Sequence, residues 1–268
     1  MSYKIGVIGC GKMAYAILNS LINNLSIPID KILVNDINYN SAQLFAQDFG
    51  AITGKANFVI ANSDIVLLAV KPQQIIEVVT DNLSSFKDEH IIISIAAGIK
   101  IDEISNLLNN KSAIVRVMPN IPVLVGQGVV ALAVGNYVND EKLNIVQNLL
   151  SYLGITYLVD EGYIDAITAI SGSGPAYFFL IIEALINAGI LIGLDNNFSK
   201  DIVIQTLKGS MAMLEDTNKH PAVLREEVCS PAGTTIAAVK KLEEHGIRNA
   251  IFEAVNAAYL RAQELSNK

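Results

Sequence analysis

A glycine motif directly after a short apolar strand constrains the fold of this chain more than any other feature. Tyr3–Ile8 has the pattern of a strand, Gly9-x-Gly11-x-x-Ala14 follows it, and a helical pattern begins at Met13. Gly9 permits a sharp turn, Gly11 lets the backbone approach a pyrophosphate, and Ala14 allows close packing of helix on strand. The free N–H groups of the helix N-terminus would then bind the phosphates. The motif predicts a dinucleotide site; glycines serving only a tight turn are the alternative.

The apolar runs that follow have the pattern of a parallel sheet. They lie at residues 31–36, 65–70, 91–95, 113–118 and 129–134, with helical segments between them. Continuous apolar strands separated by amphipathic helices are typical of a sheet covered on both faces. A short strand at 156–159 ends this pattern, and only helices are expected after Glu161. We therefore predict an α/β chain, with a Rossmann-type dinucleotide-binding domain at residues 1–160 and an all-helical domain at 161–268.

Polar residues at the strand ends suggest where the nucleotide would bind. Asp36 follows the second strand, where an acid can hold the 2′-hydroxyl of the adenine ribose, and Asn35 stands beside it. No arginine or lysine follows closely to receive a 2′-phosphate, so this position favours NADH. N-capping of the next helix is the alternative role for Asp36. Lys71 and Pro72 end a central strand, where they would reach the ribose and nicotinamide, although Lys71 also suits an ordinary surface.

The helical half contains an unusually apolar segment at residues 175–194, in which Glu183 and Asn187 are the polar exceptions. A bilayer span is disfavoured because Glu183 near the middle would be costly in lipid and no basic cluster flanks the segment. The chain is 51% hydrophobic and only 17% charged, against about 25% charged in average domains. We expect this helix to pack against its own copy in a homo-oligomer, so that the helical domain is a dimerisation domain. Gly189 and Gly193 would allow close approach of helices, or Gly193 only ends the helix.

Charge and cysteine content exclude several classes of partner. The net charge is −7, from 19 basic and 26 acidic residues, and no basic run is long enough to follow a nucleic-acid backbone. Cys10 and Cys229 lie far apart and match no zinc or redox spacing, which fits a reducing compartment. No export signal is evident at the N-terminus. We expect a cytoplasmic protein with no nucleic-acid, membrane or metal partner.

A loop at residues 229–235 has the composition of an anion site. It combines small hydroxylated residues with a proline and a glycine before a helix, which predicts a nest of donors for a carboxylate. An ordinary capped helix start is the alternative. None of the three histidines stands where a base or a metal ligand is expected, and acid–base residues are sparse. Hydride transfer, in which the cofactor carries the chemistry, is compatible with such a site.

Three segments together resemble pyrroline-5-carboxylate reductase, the last enzyme of proline biosynthesis. They are Met118–Pro122 with 126–132, then Ala169–Tyr177, and Ser230–Thr235, the family's signature loop. The resemblance implies reduction of 1-pyrroline-5-carboxylate to L-proline by NADP(H), with NAD(H) as the alternative. It also implies an interleaved homodimer, commonly assembled into a decamer. Each site would then combine one subunit's cofactor domain with its partner's signature loop.

The resemblance also assigns roles to individual residues. Thr235 would bond the imine nitrogen as the catalytic hydroxyl, and Ser230, Gly233, Thr234 and Thr235 would hold the substrate carboxylate and ring. The cofactor residues carried over are Gly9, Gly11, Lys12 and Met13 at the pyrophosphate, Asn57 at the adenosine, and Ala69, Val70, Lys71, Pro72, Ala97 and Gly98 at the nicotinamide. Asn35 and Asp36 are assigned to the ribose by their place after the second strand and not by the resemblance. Two residues depart from the family: Lys12 stands where asparagine is usual, and Asp36 conflicts with the common preference for NADPH.

Two other functions are compatible with a cofactor domain followed by a helical domain. A β-hydroxyacid-type NADP dehydrogenase also joins a cofactor domain to a helical one, but it relies on a lysine that residues 171–194 do not contain. A non-catalytic nucleotide-sensing oligomer would keep the fold without turnover. The intact loop at Ser230–Thr235 disfavours that second alternative.

Overall fold

The computed structural model describes residues 3–25, 31–109 and 112–267. Its contacts divide the chain into two compact units. The first unit comprises residues 1–173 together with 258–268, and the second comprises residues 174–257. The first unit is thus discontinuous in sequence. The domain boundary near residue 160 stays a prediction.

An eight-stranded sheet in the order β3-β2-β1-β4-β5-β6-β7-β8 forms the centre of the first unit. All neighbouring strands pair in parallel except β6 and β7, which are antiparallel. The strands are β1 Ile5–Ile8, β2 Ile32–Asn35, β3 Ile52–Thr53, β4 Ile65–Leu68, β5 Ile91–Ser94, β6 Ala113–Pro119, β7 Gly128–Val134 and β8 Gly154–Leu158. The strand order reverses at β1, which lies between β2 and β4. In open α/β sheets a ligand crevice forms outside the carboxyl ends of the strands at such a point.

Helices cover both faces of this sheet, as its apolar strands require. They are α1 Lys12–Leu25, α2 Tyr39–Phe49, α3 Ala56–Ala61, α4 Pro72–Asp81, α5 Ile101–Leu108, α6 Asp140–Leu150 and the short α7 Ile164–Ile167. Side chains alternate along each strand, so β4 sends Leu67 into one core and Val66 into the other. The first core includes residues of α1, α2 and α6, and the second includes residues of α3, α4 and α5. The predicted α/β class is confirmed.

The second unit is entirely helical in its described residues. It holds α8 Gly174–Leu191, α9 Asn196–Thr217, α10 Pro221–Val228, α11 Thr234–Glu244 and the first part of α12 Ile247–Ser266. A π-helical turn at Thr168–Gly172 precedes α8. Gly193, with φ +100°, lies beyond the end of α8 and donates to the carbonyl of Ile190 at 3.0 Å, so its role is to end the helix. Gly189 lies against Ser199 of α9 in the same chain, so it accounts for close helix packing within one subunit.

The face of α8 is largely uncovered within a single chain. Phe178, Phe179 and Leu180 expose 60%, 63% and 68% of their surface. The helical run Glu161–Leu191 is long and apolar enough to cross a membrane when judged by length and composition alone. Apolar side chains in such number are unfavourable in water, so this face requires an apolar neighbour.

The buried Arg116 belongs to a charged cluster that holds the last turn of α12 within the first unit. Arg116 of β6 is 4% exposed, and its guanidinium lies 3.0 Å from Glu161 and 3.6 Å from Asp165. The Ser266 hydroxyl donates to the Asp165 carboxylate at 2.9 Å. Glu161 also accepts the backbone N–H of Ile101 at 2.9 Å. The last turn of α12 is therefore held by the same charged cluster that joins β6 to the start of α7.

Candidate functional site

The glycine turn lies at the reversal of strand order, and each glycine there meets a different requirement. Gly9 has φ +102°, and a Cβ atom on it would come within 2.7 Å of the backbone of Ala69 and Val70. Its N–H donates to the carbonyl of Asn35 at 2.8 Å. A Cβ atom on Gly11 would meet nothing within 4 Å. Gly9 is thus required by the turn itself, whereas Gly11 leaves open space in front of the backbone.

The N-terminus of α1 supplies donors beside this open space. The first hydrogen bond inside the helix runs from the N–H of Tyr15 to the carbonyl of Gly11 at 3.0 Å. The N–H groups of Lys12, Met13 and Ala14 therefore precede any acceptor within the helix. They add to the positive end of the helix dipole, and this arrangement suits an anion such as a pyrophosphate.

Asp36 lies directly after β2 and is tied to the glycine turn. Its Oδ2 accepts the N–H of Cys10 at 2.8 Å, and its Oδ1 accepts the N–H of Asn38 at 2.8 Å. The N-cap of α2 is Asn38, whose side chain accepts from Asn40 and Ser41. The alternative that Asp36 caps this helix is therefore wrong, because Asn38 does so. The two backbone bonds hold the Asp36 carboxylate at the carboxyl edge of the sheet.

A cavity of about 450 Å³ opens at this edge. Its lining includes seven of the predicted cofactor residues, namely Gly9, Gly11, Asn35, Asp36, Ala69, Val70 and Lys71. Ala56, Gln74 and Glu77 contribute further walls from α3 and α4. The residues come from the ends of three adjacent strands, β2, β1 and β4. The geometry thus brings together the turn, the acid and the lysine at one crevice.

A smaller cavity of about 290 Å³ adjoins the glycine turn. It is lined by Cys10, Gly11, Lys12, Tyr15 and Leu124. Burial raises the pKa of the Cys10 thiol to about 12, and the negative charge of Asp36 adds to this rise. Cys10 is therefore a neutral thiol at physiological pH, and its side chain brings no negative charge to the space where phosphates would bind.

The remaining predicted cofactor residues lie outside these two linings. Met13 packs against the first core, and Pro72 begins α4. Asn57 is exposed at the start of α3, where its side chain accepts the N–H of Phe58 at 2.8 Å. Gly98 is buried with φ +81°, and a Cβ atom there would lie 2.8 Å from the carbonyl oxygen of Leu265. Ala97, beside it, is half-buried. The cofactor roles of these residues, like those of the residues that line the two cavities, stay predictions.

The segments Met118–Pro122 and Ala169–Tyr177 contact each other through Asn120, a buried asparagine. The Asn120 amide donates to the carbonyl and to the hydroxyl of Ser171, both at 3.1 Å. Its oxygen accepts the N–H of Val129 at 2.9 Å. Asn120 therefore joins the end of β6 to the π-helical turn and to β7. No local sequence pattern predicts this role of Asn120, because its partner Ser171 lies 51 positions away.

In the helical unit, residues 229–235 form a tight turn before α11. The N–H of Gly233 donates to the carbonyl of Ser230 at 3.1 Å, and Ala232 has φ +56°. Gly233 is the N-cap of α11, and no side chain caps the helix. The first N–H groups of α11 are therefore available to an anion, beside the hydroxyl groups of Thr234 and Thr235. Thr234 is exposed and Thr235 half-buried. The four predicted substrate residues thus belong to one turn.

A larger cavity, of about 580 Å³, lies elsewhere in the first unit. It opens between α5 and the ends of β6 and β7, and Asp88, Asp102 and Tyr137 are among its lining residues. It contains none of the predicted site residues. Across the described parts of the chain, no group of three or more His, Cys, Asp or Glu side chains is arranged to hold a metal ion.

Comparison with known families divides this sequence into two matched regions. Residues 161–265 match the family model described as pyrroline-5-carboxylate reductase dimerisation. Residues 4–98 match the one described as NADP oxidoreductase coenzyme F420-dependent. The two matches together span both the glycine turn and the loop before α11.

Full-length relatives carry the same family name. The pyrroline-5-carboxylate reductase of Synechocystis sp. is 39% identical over 269 residues, covering 100% of both chains. That of Corynebacterium melassecola is 40% identical and covers 97% of this chain and 98% of its own. Among solved structures, a Plasmodium falciparum pyrroline carboxylate reductase with NADP bound superposes with a TM-score of 0.89 at 29% identity, covering 99% and 98% of the two chains. A Coxiella burnetii pyrroline-5-carboxylate reductase gives 0.86 at 35% identity, covering 99% of each.

Proposed function

The chain belongs to the pyrroline-5-carboxylate reductase family, and on that premise we propose that it reduces 1-pyrroline-5-carboxylate to L-proline with NADPH or NADH. The observation that carries this proposal is the 39% identity to a named reductase over the whole length of both chains. The reaction would be the last step of proline biosynthesis. Its cofactor cavity and its anion-binding turn are the two features that such a reaction requires.

The nucleotide would occupy the cavity at the end of β1. The glycine turn and the free N–H groups of α1 suit the pyrophosphate, and Asp36 suits the adenine ribose. Lys71 and the backbone of Ala69 and Val70 would line the nicotinamide side, beside the predicted contacts at Pro72, Ala97 and Gly98. When bound, the reduced cofactor supplies a hydride, while the protein fixes its orientation.

The turn before α11 would hold the substrate. A carboxylate fits the uncapped N-terminus of α11, with Ser230 and Thr234 as hydroxyl donors. Thr235 would then reach the ring nitrogen. A protonated imine already has an electrophilic carbon, so a hydroxyl that stabilises this proton is sufficient and no tuned histidine is needed.

A homodimer would cover the apolar face of α8. The exposed Phe178, Phe179 and Leu180 support this, as does the match of residues 161–265 to a dimerisation family. In such a dimer the cofactor cavity of one subunit would face the substrate turn of its partner. We extend this to a decamer of five dimers, and we place the enzyme in the cytoplasm without membrane or nucleic-acid partners. The free cysteines Cys10 and Cys229 are consistent with a reducing compartment.

An assay of cofactor oxidation tests the proposed reaction. The purified enzyme should consume NADPH or NADH only when 1-pyrroline-5-carboxylate is added, and proline should accumulate in equal amount. Thr235→Ala should lower kcat/KM at least about tenfold, because one hydrogen bond to the reacting ring is lost. Cofactor binding should be unchanged, and Thr235→Ser should restore most activity. A lack of proline formation by the wild-type enzyme would refute the reductase assignment.

A further inference from the structure

We propose that Asp36 makes this enzyme select NADH over NADPH. The inference rests on the proposed function, since it requires a nicotinamide dinucleotide in the cavity at the end of β1. It goes further because it assigns the choice between the two cofactors to one side chain. Both cofactors would share the glycine turn and the nicotinamide position, and they differ only by the phosphate on the 2′-oxygen of the adenine ribose.

The position and orientation of Asp36 are fixed by backbone groups. Its two carboxylate oxygens accept the N–H groups of Cys10 and Asn38, each at 2.8 Å. The carboxylate is therefore attached to the glycine turn that would hold the pyrophosphate, and it cannot swing away without losing both bonds. Each oxygen has a further lone pair for the ribose. An acid in this place receives the 2′-hydroxyl of NAD in dinucleotide folds.

The lining of the cavity around Asp36 also contains more negative than positive side chains. The acids in its lining are Asp36, Glu77 and Asp81, and the basic residue in the lining is Lys71. Lys71 follows β4, whereas Asp36 follows β2 on the other side of β1. Two strand spacings separate them, about 10 Å. The lysine therefore belongs to the other end of the cofactor and does not neutralise the ribose end.

Asp36 itself is not neutralised by a basic partner. In residues 3–25, 31–109 and 112–267, no lysine or arginine nitrogen lies within 4.0 Å of its carboxylate. Its neighbours Asn35, Ile37 and Asn38 are uncharged. Burial raises the pKa of the adjacent Cys10 thiol, and the charge of Asp36 adds to this rise.

The Asp36 carboxylate would repel the 2′-phosphate of NADPH, whereas it would accept a hydrogen bond from the 2′-hydroxyl of NADH. The phosphate carries about −1.5 to −2 charges at neutral pH and has no donor for the carboxylate. The 2′-hydroxyl of NADH donates to the carboxylate and forms a charge-assisted hydrogen bond. NADPH thus loses an attraction and gains a repulsion at the same atom, while the rest of its contacts are unchanged.

Initial rates with both cofactors test the proposal. The wild-type enzyme should show a kcat/KM at least tenfold higher with NADH, with the difference in KM for the cofactor. Asp36→Asn should reduce this preference at least tenfold. Asp48→Asn makes the same change of charge on the exposed surface of α2 and should leave the ratio as it is. Equal or higher efficiency with NADPH in the wild type, or an unchanged ratio in Asp36→Asn, would overturn the proposal.

Ionic strength provides a test without any variant. Salt screens repulsion between exposed charges, so raising it from about 20 mM to about 500 mM should increase the efficiency of NADPH relative to NADH. A basic side chain that binds the 2′-phosphate would produce the opposite trend. An unchanged or falling ratio therefore contradicts the assignment of Asp36.

Cofactor binding without substrate separates this inference from the proposed function. The Kd values of NADH and NADPH can be measured by the fluorescence of the reduced nicotinamide. If neither cofactor supports turnover, the reductase proposal fails, whereas a Kd at least tenfold lower for NADH still supports the role of Asp36. If turnover occurs but the two Kd values are equal, only the inference on Asp36 fails.

Discussion

Gly9 and Gly11 of the glycine turn have different roles: Gly9 is required by the fold, whereas Gly11 leaves space for a ligand. Gly9 cannot accept a side chain, because its φ is positive and the backbone of Ala69 and Val70, directly after β4, is 2.7 Å from the position of a Cβ atom. Gly11 has room for one in the chain alone. The sequence motif predicts both glycines but does not say which is required for folding. That distinction depends on a strand about sixty residues away.

The first prediction concerns Gly11→Ala. A methyl group there should fill the space of the pyrophosphate and raise the Kd of the cofactor at least about tenfold, because the backbone can no longer approach the phosphates. The midpoint of urea unfolding should stay close to the wild-type value. Gly162→Ala is the matched control, since a Cβ atom on Gly162 also meets nothing within 4 Å and this glycine is far along the sequence from the turn. Unimpaired cofactor binding by Gly11→Ala would contradict the position of the phosphates.

The second prediction concerns His90, a residue that is 2% exposed. Within the described residues its Nε2 has no hydrogen-bond partner, while Nδ1 accepts the N–H of Lys87 at 3.2 Å. Burial lowers the pKa of His90, and the positive charge of Lys87 contributes to this. The folded state thus takes up the proton less readily than the unfolded state. The resulting stability is complete above the unfolded pKa of about 6.5 and is lost as the pH falls below it.

Unfolding by urea between pH 7.5 and pH 5 measures this effect, with about half a pH unit between points across the unfolded pKa. His90→Asn keeps an acceptor for Lys87 but has no proton to take up, so its loss of stability on acidification should be smaller. His245→Asn changes an exposed histidine and should keep the wild-type slope. Equal slopes for all three proteins would rule out a contribution from His90.

At the scale of elements, the sequence predicts the centre of the sheet well because strands such as β1, β4 and β5 are buried on both faces. Apolar runs such as Ile65–Leu68, separated by helical segments, are typical of buried parallel strands. The sequence does not predict the two-residue β3, because Ile52–Thr53 is too short to show any pattern. For Asp36 the sequence is compatible with binding of the ribose and with capping of α2, since both roles suit an acid before a helix. Local spacing cannot choose between these roles, whereas the structure gives the cap to Asn38.

The last helix, α12, also makes long-range contacts that a local sequence pattern does not predict. Its apolar stripe predicts that α12 packs, but the stripe does not say against what. In the structure residues 258–268 belong to the first unit, although the preceding turns of α12 belong to the second. The partners Asp165 and Gly98 lie about 100 residues or more earlier in the chain. The apolar periodicity of α12 indicates only that one face of the helix is buried, so it cannot predict which distant residues that face contacts.

The third prediction concerns the charged cluster that holds this helix end. Arg116→Ala should destabilise the protein by about 3 kcal/mol, because Glu161 and Asp165 would keep partly buried charges without a partner. Ser266→Ala removes a single hydrogen bond and should cost about 1 kcal/mol. Urea unfolding measures both changes. Arg261→Ala breaks an exposed ion pair with Glu264 on the same helix and should cost much less. An Arg116→Ala variant as stable as Arg261→Ala would mean that the cluster contributes nothing.

At the scale of the whole molecule, the low charged fraction of 17% predicts that a single chain exposes apolar surface. In the structure much of this exposed apolar surface lies on α8. The sequence could not distinguish a lipid neighbour from a protein neighbour by length and hydropathy. Glu183 in the middle of the segment and the family match both favour a second copy.

The fourth prediction tests the proposed dimer. Leu180→Glu places a charge on the exposed apolar face of α8 and should convert the oligomer to monomers, because an unpaired carboxylate would be buried at the interface. Light scattering after size-exclusion chromatography measures the mass. Reductase activity should be lost while cofactor binding persists. Leu44→Glu, at an exposed leucine of α2, is the matched control. A Leu180→Glu protein of unchanged mass would exclude this face from the interface.

The discontinuity of the first unit has a consequence for biogenesis. Because Ser266 and Leu265 close over Asp165 and Gly98, the nucleotide-binding half cannot complete its packing while the ribosome is still translating the helical half. The sheet can form early, since its strands end at Leu158, yet its contacts with Leu265 and Ser266 wait until these two residues have left the exit tunnel. Removing Leu265 and Ser266 would therefore weaken the packing of the sheet domain, which is encoded far upstream of them.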